Sequence, residues 1–492
     1  MYTVKKKLIV SLVVSLCFII TSLYFITRTT KNINTNIPVI FPRPFEIHTP
    51  DTQEKYLSYL PHSGFHNQRI ELENALLLAT YLNRTLLVPP VMLANPAMPW
   101  LKYERLYERL LFQSKHGLEH CALIDSGLPL PNECLNSYRY TNIPWSFFYD
   151  MIDIQQRSTP LVFRDSLSYQ WIYGTLGLKP HDVYFFKDVM PYEYQIHDDP
   201  SLDLPLDRFN YRMNLDTLKK IEHPVLHFGS MFGSYRVLAE TEANMEKLRN
   251  IRSGMIFRQP VLTSTTERIV EQLGGTNQFI GMHIRVGDGI FKLRASIVVD
   301  DIFHTLVNQF TDMTLEEVIQ FDADHDRDRM ESADYEVVLR SMPTEEDHTK
   351  PIEVHHPSNR DKKTSKTKLK CQPSDSITKR FKNTVVYIAT DAPNPREHPL
   401  LRKLFRLFPC TFVLSDFEKE LEEVKRLQVV EEKVPLDGYL IPMLDAMIAA
   451  HGHTFFGTPH STFTSYIERQ LHPVYTGKHV QVMGLEEYLK LQ

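Results

Sequence analysis

The sequence has little cysteine, 5 residues in 492. That excludes a disulfide scaffold, and a chain of this length buries an ample core without staples. No large excess of one charge is present. Lysine and arginine total 55 against 60 acids, a formal net charge of −5, so no global basic field points to nucleic acid. Internal repeats are absent, and no C-x-x-C or paired Cys/His spacing suggests zinc. Only one long apolar run occurs, which rules out a multi-span membrane protein. What remains is an ordinary globular mixture, 42% hydrophobic and 23% charged, which excludes a disordered chain, a collagen and a coiled-coil rod. The length suggests about two to four domains.

The one apolar run is residues 8–26, LIVSLVVSLCFIITSLYFI, 19 residues without a charge. At about 1.5 Å per residue it just crosses a hydrocarbon core of about 30 Å. It is longer than the apolar part of a cleaved signal peptide, and no A-x-A follows it, so it reads as an uncleaved anchor. Lys5, Lys6 and Lys7 precede it, while Arg28 and Lys31 follow. This bias leaves 1–7 as a cytosolic tail, 27–50 as a stem and the rest luminal: a single-pass type II protein. The short, bulky span suits the thinner bilayers of the endoplasmic reticulum or Golgi. A luminal home permits disulfides. Cys17 lies in the span, leaving Cys121, Cys134, Cys371 and Cys410, with Cys121–Cys134 and Cys371–Cys410 as one pairing and four free thiols as the alternative. Asn83-Arg84-Thr85 is the one glycosylation sequon, and the apolar strand beside it predicts burial of Asn83.

Beyond residue 50, strand and helix patterns alternate, the signature of an α/β chain. Strands are predicted at Lys55–Pro61, Thr85–Pro89, Pro224–Phe228, Gln278–Arg285, Thr384–Thr390, Thr411–Ser415 and His453–Gly457. Helices are predicted over 67–82, 260–273, 296–310, 396–408, 436–450 and 461–470. Residues 321–370 are rich in both charges and poor in apolar side chains, which predicts a solvated, largely disordered insertion. Asp322, Asp324, Asp326 and Asp328 alternate there, but the glycine and glutamate of an EF-hand are missing.

Three loops at strand-to-helix junctions carry the chemistry, where open α/β sheets bind ligands. In PHSGFHNQR (61–69), Gly64 permits close backbone approach, and the following helix aims N–H groups at an anion, with Asn67, Gln68 and Arg69 as further donors. In GMHIRVGDG (281–289), an apolar strand runs into Arg285, with His283 on the same side. A guanidinium at a buried strand end requires a partner, either a phosphate or an acid such as Asp288. Near the C-terminus, ATDAP (389–393) ends one strand and HSTF (460–463) opens a helix, with Ser461 as N-cap.

Together PHSGFHNQRIELENALLLATYLNRTLLVPPV, GMHIRVGD, IATDA and FFGTPHSTFTSYIERQ resemble the GDP-fucose protein O-fucosyltransferase family. The resemblance covers roughly 55–490, without the charged insertion and much of 100–220. It implies a GT-B fold: Rossmann-like domains at 51–255 (acceptor side) and 256–492 (donor side), facing a cleft. It implies inverting transfer from GDP-β-L-fucose to a glycoprotein or polysaccharide acceptor, with no required metal. Carried over, Arg285 holds the β-phosphate and glycosidic oxygen, and His283 contacts the nucleotide. Asp391 and Ala392 meet the guanine. Ser461, Thr462 and Phe463 bind the diphosphate and its surroundings, and Gly64, Phe65 and Asn67 line the cleft near the sugar. Some family members carry a glutamate base in the first loop; this sequence has His62 and Ser63 there. His62 or His66 then serves as the base, or the donor's phosphate accepts the proton. Two further readings stand: another nucleotide sugar on the same fold, or a non-catalytic luminal binding protein.

Overall fold

The computed structural model describes residues 37–38 and 54–490 apart from 116, 126–127, 207, 288 and 332–383, with backbone alone at 37–38 and 324–331. The predicted tail, the anchor 8–26, Cys17 and most of the stem lie outside these residues. Among the described residues no helix is long and apolar enough to cross a membrane. Within the stem, Ile37-Pro38 pairs in parallel with Leu427-Gln428.

The first half contains β1 (Tyr56–Tyr59), α1 (Phe65–Leu82), β2 (Thr85–Val88), β3 (Leu161–Phe163), β4 (Val183–Phe186) and β5 (Val225–Phe228). Its sheet runs β3-β2-β1-β5-β4 and is parallel throughout. The strands YLSY, TLLV and VLHF are buried at every position, as a parallel sheet covered on both faces requires. The second half contains α2 (Pro260–Gln272), β6 (Ile280–Ile284), α3 (Gly289–Phe310), β7 (Val386–Thr390), β8 (Thr411–Phe412), α4 (Asp437–Ala450), β9 (Thr454–Gly457) and α5 (Thr462–Tyr466). This sheet runs β8-β7-β6-β9, again all parallel.

Both orders reverse direction once, between β1 and β5 and between β6 and β9. A crevice opens at the carboxyl ends of the strands at each such point. The halves share one apolar cluster that includes Leu72, Phe148, Phe257, Leu444 and Tyr466. The Tyr466 hydroxyl also donates to the Met255 carbonyl at 2.8 Å. Helix α4 lies directly on β6. A Cβ at Gly281 would sit 1.9 Å from the Ala449 carbonyl oxygen, so only glycine permits this approach.

Several boundaries differ from expectation. Helix α3 starts at Gly289, seven residues before 296, because Ala295, Val299, Ile302 and Phe303 extend one buried face. The predicted helix 396–408 contracts to Arg402–Leu407. Helix 461–470 ends at Tyr466 and continues as a wide π turn over Ile467–Leu471. The start of the charged insertion is ordered, in a helix spanning Leu315–Glu331. A reciprocal cap explains it: the Thr314 hydroxyl accepts from the Glu317 N–H at 3.3 Å, and the Glu317 carboxylate accepts from the Thr314 N–H at 2.7 Å. The remainder, 332–370, lies outside the described residues.

Cys121 and Cys134 form a disulfide. The stapled excursion around it reaches the second half, where Lys115 pairs with Glu432 and the Tyr439 hydroxyl donates to the Arg139 carbonyl at 3.0 Å. Cys410 is buried and disulfide-bonded, and Cys371 lies outside the described residues. Asn83 is exposed, contrary to expectation. It occupies the left-handed cap of α1 (φ 51°), and the burial begins only at Arg84 and Thr85.

Candidate functional site

The two crevices face each other across one cavity of about 890 Å³. The loop after β1 supplies Gly64, Phe65, His66 and Asn67, the loop after β6 supplies Arg285, and the loop after β9 leads to His460, Thr462 and Phe463. His283, Asp391 and Ala392 also line it. Ten of the eleven residues expected at the site therefore converge on one space. Ser461 is the exception. It is buried as the N-cap of α5, its hydroxyl accepting from the Thr464 N–H at 3.3 Å, and it does not line the cavity.

Arg285 is fixed from three sides. Its N–H donates to the Thr458 hydroxyl at 2.9 Å, its Nε lies 3.8 Å from the Asp391 carboxylate, and its guanidinium sits 4.3 Å from the centre of the Phe291 ring. Asp391 lines the cavity as expected and also makes contacts that the sequence did not predict. Its Oδ1 accepts from the Val286 N–H at 2.7 Å and the Gly287 N–H at 3.2 Å, so it braces the loop that aims Arg285. Asp288 falls outside the described residues.

Two of the cavity histidines, His283 and His66, are held in the neutral form. Burial, then the charge of Arg285, lowers the His283 pKa to about 3, and its Nδ1 pairs with the Thr464 hydroxyl at 2.7 Å. Burial likewise holds His66 well below the ordinary imidazole value, with Arg69, His283 and Arg285 adding to it. The His66 ring stacks on Phe463, centroids 3.9 Å apart, and its Nδ1 has no hydrogen-bond partner among the described residues. A neutral imidazole of such low basicity accepts hydrogen bonds but is a weak general base.

His62 does not reach the cavity. It is fully buried, its Nε2 2.9 Å from the Glu71 carboxylate and 2.8 Å from the Ser230 hydroxyl. Burial in turn raises the Glu71 pKa. Gln68 and Arg69 are also committed elsewhere. Gln68 donates to the Ser63 and Met92 carbonyls, while Arg69 pairs with Glu73 at 3.1 Å and covers the Tyr466 ring. Asn67 instead spans the cleft, its Oδ1 accepting from the Thr462 hydroxyl at 3.4 Å.

Sequence reasoning missed Asp445, the acid that α4 presents to the cavity among Ile388, Leu414, Ile441 and Pro442. Its Oδ1 accepts from the Tyr387 hydroxyl at 2.5 Å and its Oδ2 from the Thr390 N–H at 3.2 Å. Desolvation raises its pKa to about 7 despite both donors. The signal was available: one acid inside the apolar run IPMLDAMIAA. Tyr192, Arg208 and Phe232 on the first half's wall carried no comparable signal.

No family model matches the chain. Over 39 residues it is 59% identical to O-fucosyltransferase 30 of Arabidopsis thaliana, and this segment is 8% of each protein. The chain thus spans less than a tenth of that relative's length in the match, and over this segment it resembles the O-fucosyltransferases. Solved structures with similarity include POFUT1 in complex with GDP-fucose, at 11% identity and a TM-score of 0.37, covering 87% of this chain and 97% of that one. The NodZ α-1,6-fucosyltransferase co-crystallised with GDP has 12% identity and a TM-score of 0.35, covering 85% of this chain and 93% of that one.

Proposed function

We propose that this chain is an inverting fucosyltransferase that moves L-fucose from GDP-β-L-fucose to a hydroxyl of a glycoprotein or glycan acceptor in the secretory pathway. One observation carries the reading. Arg285, aimed by Asp391 and Phe291, stands at the switch point of the second sheet, inside a cleft lined by both halves. In such a cleft a guanidinium meets a diphosphate in a bidentate fork and stabilises the charge that grows on it as the sugar departs. The name of the partial relative supports the same sugar, and the Cys121–Cys134 disulfide supports an oxidising compartment.

The nucleotide end follows from the lining. Ile388, Leu414, Ile441 and Pro442 offer an apolar slot for a flat base, and Asp445 is the acid within it. An ionised carboxylate accepts from adjacent N–H groups, which guanine presents and adenine does not. In transfer, the C1–O bond to the β-phosphate breaks and its electron pair leaves with GDP. The acceptor oxygen bonds C1 from the opposite face, and its proton, acidified by the new bond, passes to water. No strong base is required, in keeping with the neutral His66 and the distant His62.

The test is a thermal shift of the full chain in detergent with GDP-fucose, GDP-mannose and UDP-sugars, followed by transfer assays on Arg285→Ala. Ligand at a hundred times its Kd adds about 2.7 kcal/mol to stability. Arg285→Ala is expected to lose 10²–10³ in rate. No shift with GDP or GDP-fucose at millimolar concentration overturns the donor assignment, and a shift with UDP-sugars alone reassigns it.

A further inference from the structure

The cavity has a second wall that the donor does not explain. The switch point of the first sheet, between β1 and β5, opens a crevice of its own on the same space. Tyr192 and Phe232 line it, with ring centroids 6.0 Å apart and planes inclined at 46°. The Arg208 guanidinium lies 5.2 Å from the Tyr192 centroid.

These rings are held, not loosely exposed. Tyr192 sits in the left-handed backbone region at φ 55°, its carbonyl accepting from the Asn210 N–H at 3.1 Å. The Phe232 carbonyl accepts from Arg236 Nε at 2.6 Å, and its N–H donates to the Ser230 hydroxyl at 3.2 Å. Ser230 in turn donates its N–H to the buried Asp188 carboxylate at 2.7 Å. Gly233, at φ 127°, leaves the space: a Cβ there would meet Phe209 at 3.1 Å and Tyr192 at 3.4 Å. A non-glycine residue at positive φ is strained, so Tyr192 keeps this conformation only where its surroundings hold it.

Resting on the fucosyltransferase reading, we infer that this crevice is the acceptor subsite and that the acceptor is a sugar. The C–H face of a pyranose carries partial positive charge and stacks on the negative face of an aromatic ring. Tyr192 and Phe232 together form one inclined aromatic surface on the wall of the cavity that Arg285 also lines, a surface on which a pyranose ring can stack. A peptide acceptor is recognised differently, through an exposed strand edge or side-chain pockets. The edge strands β3 and β4 of this sheet contribute no residue to the cavity.

The experiment gives the full chain in detergent labelled GDP-fucose with two probe sets: p-nitrophenyl glycosides with oligosaccharides released from glycoproteins, and unglycosylated serine/threonine peptides with folded unglycosylated domains. Label is expected on the sugars. Tyr192→Ala is expected to raise the KM for the best glycoside at least tenfold, while Tyr192→Phe stays close to the parent. Each variant is expected to keep the GDP-dependent rise in Tm, which shows that it folds and retains the donor site. Label on peptides or folded domains alone, an unchanged KM in Tyr192→Ala, or donor hydrolysis with no labelled sugar overturns the inference. Absence of the GDP-dependent rise in the parent chain strikes the donor reading instead.

Discussion

Replacing Asp445 by asparagine separates two consequences of one carboxyl. The folded chain binds its proton with a pKa of about 7, while the unfolded chain releases it near the ordinary aspartate value of 3.8. Between about pH 4 and pH 7 the folded state therefore holds a proton that the unfolded state has lost. Stability falls as pH rises through this window, and the whole cost is present above pH 7. Each tenfold change in proton affinity is worth about 1.4 kcal/mol, so the ceiling is ~4 kcal/mol. Water in the adjoining cavity lowers it, to a few kcal/mol at most. Asparagine keeps both local bonds, since its oxygen accepts from the Thr390 N–H and its amide donates to the Tyr387 oxygen. Asp445→Asn should remove this contribution to the slope of Tm between pH 4.5 and 8 and raise Tm at pH 8. It should also weaken GDP about a hundredfold, because an amide donor then faces the guanine donors, and two lost charge-assisted bonds are worth about 3 kcal/mol. In the parent chain, GDP affinity should fall as pH drops below 7, where Asp445 takes up its proton. Thermal unfolding across pH and GDP titration by calorimetry read both effects. Parallel Tm curves for the two proteins, or a GDP affinity within threefold of the parent, would refute the reasoning.

Three further outcomes follow from packing and linkage. Gly281→Ala drives a methyl into the Ala449 carbonyl and should cost several kcal/mol, seen as a large drop in Tm or loss of folded protein on expression. Removing the Cys121–Cys134 bridge with serines reopens a loop of sequence separation 13 and should cost about 3 kcal/mol; reduction with dithiothreitol should lower the parent's Tm by more than the serine variant's, which keeps only the bridge at Cys410. Ser461→Ala should cost about 1 kcal/mol as a lost helix cap, with GDP affinity within twofold of the parent. A selective loss of GDP affinity would return Ser461 to the donor site.

What the chain's own sequence made legible is uneven for physical reasons. Buried parallel strands are short apolar runs that end where chemistry begins, so YLSY, GMHI and VYIAT announced both the sheets and the loops beyond them. Arginine at the end of such a run is costly without a partner, and this cost made Arg285 readable before its surroundings were known. The identity of that partner was not readable. Asp391 lies 106 positions away in sequence and arrives only because β6 and β7 pair in register, Ile284 against Thr390. The first half's wall was hidden for a related reason. Tyr192, Arg208 and Phe232 come from three loops, each an unremarkable residue among others of its kind. Their meeting depends on where β5 re-enters the sheet, beside β1 rather than beside β3. The same asymmetry bears on function. A donor carries a diphosphate whose charge demands arginine and helix ends, residues with a local signature. An acceptor hydroxyl carries no charge, so its site is built from shape and aromatic faces, which only the assembled fold displays. On the function proposed above, that is why the motif-bearing loops suggest the donor, and why the proposed acceptor subsite rests on two rings that no motif joins.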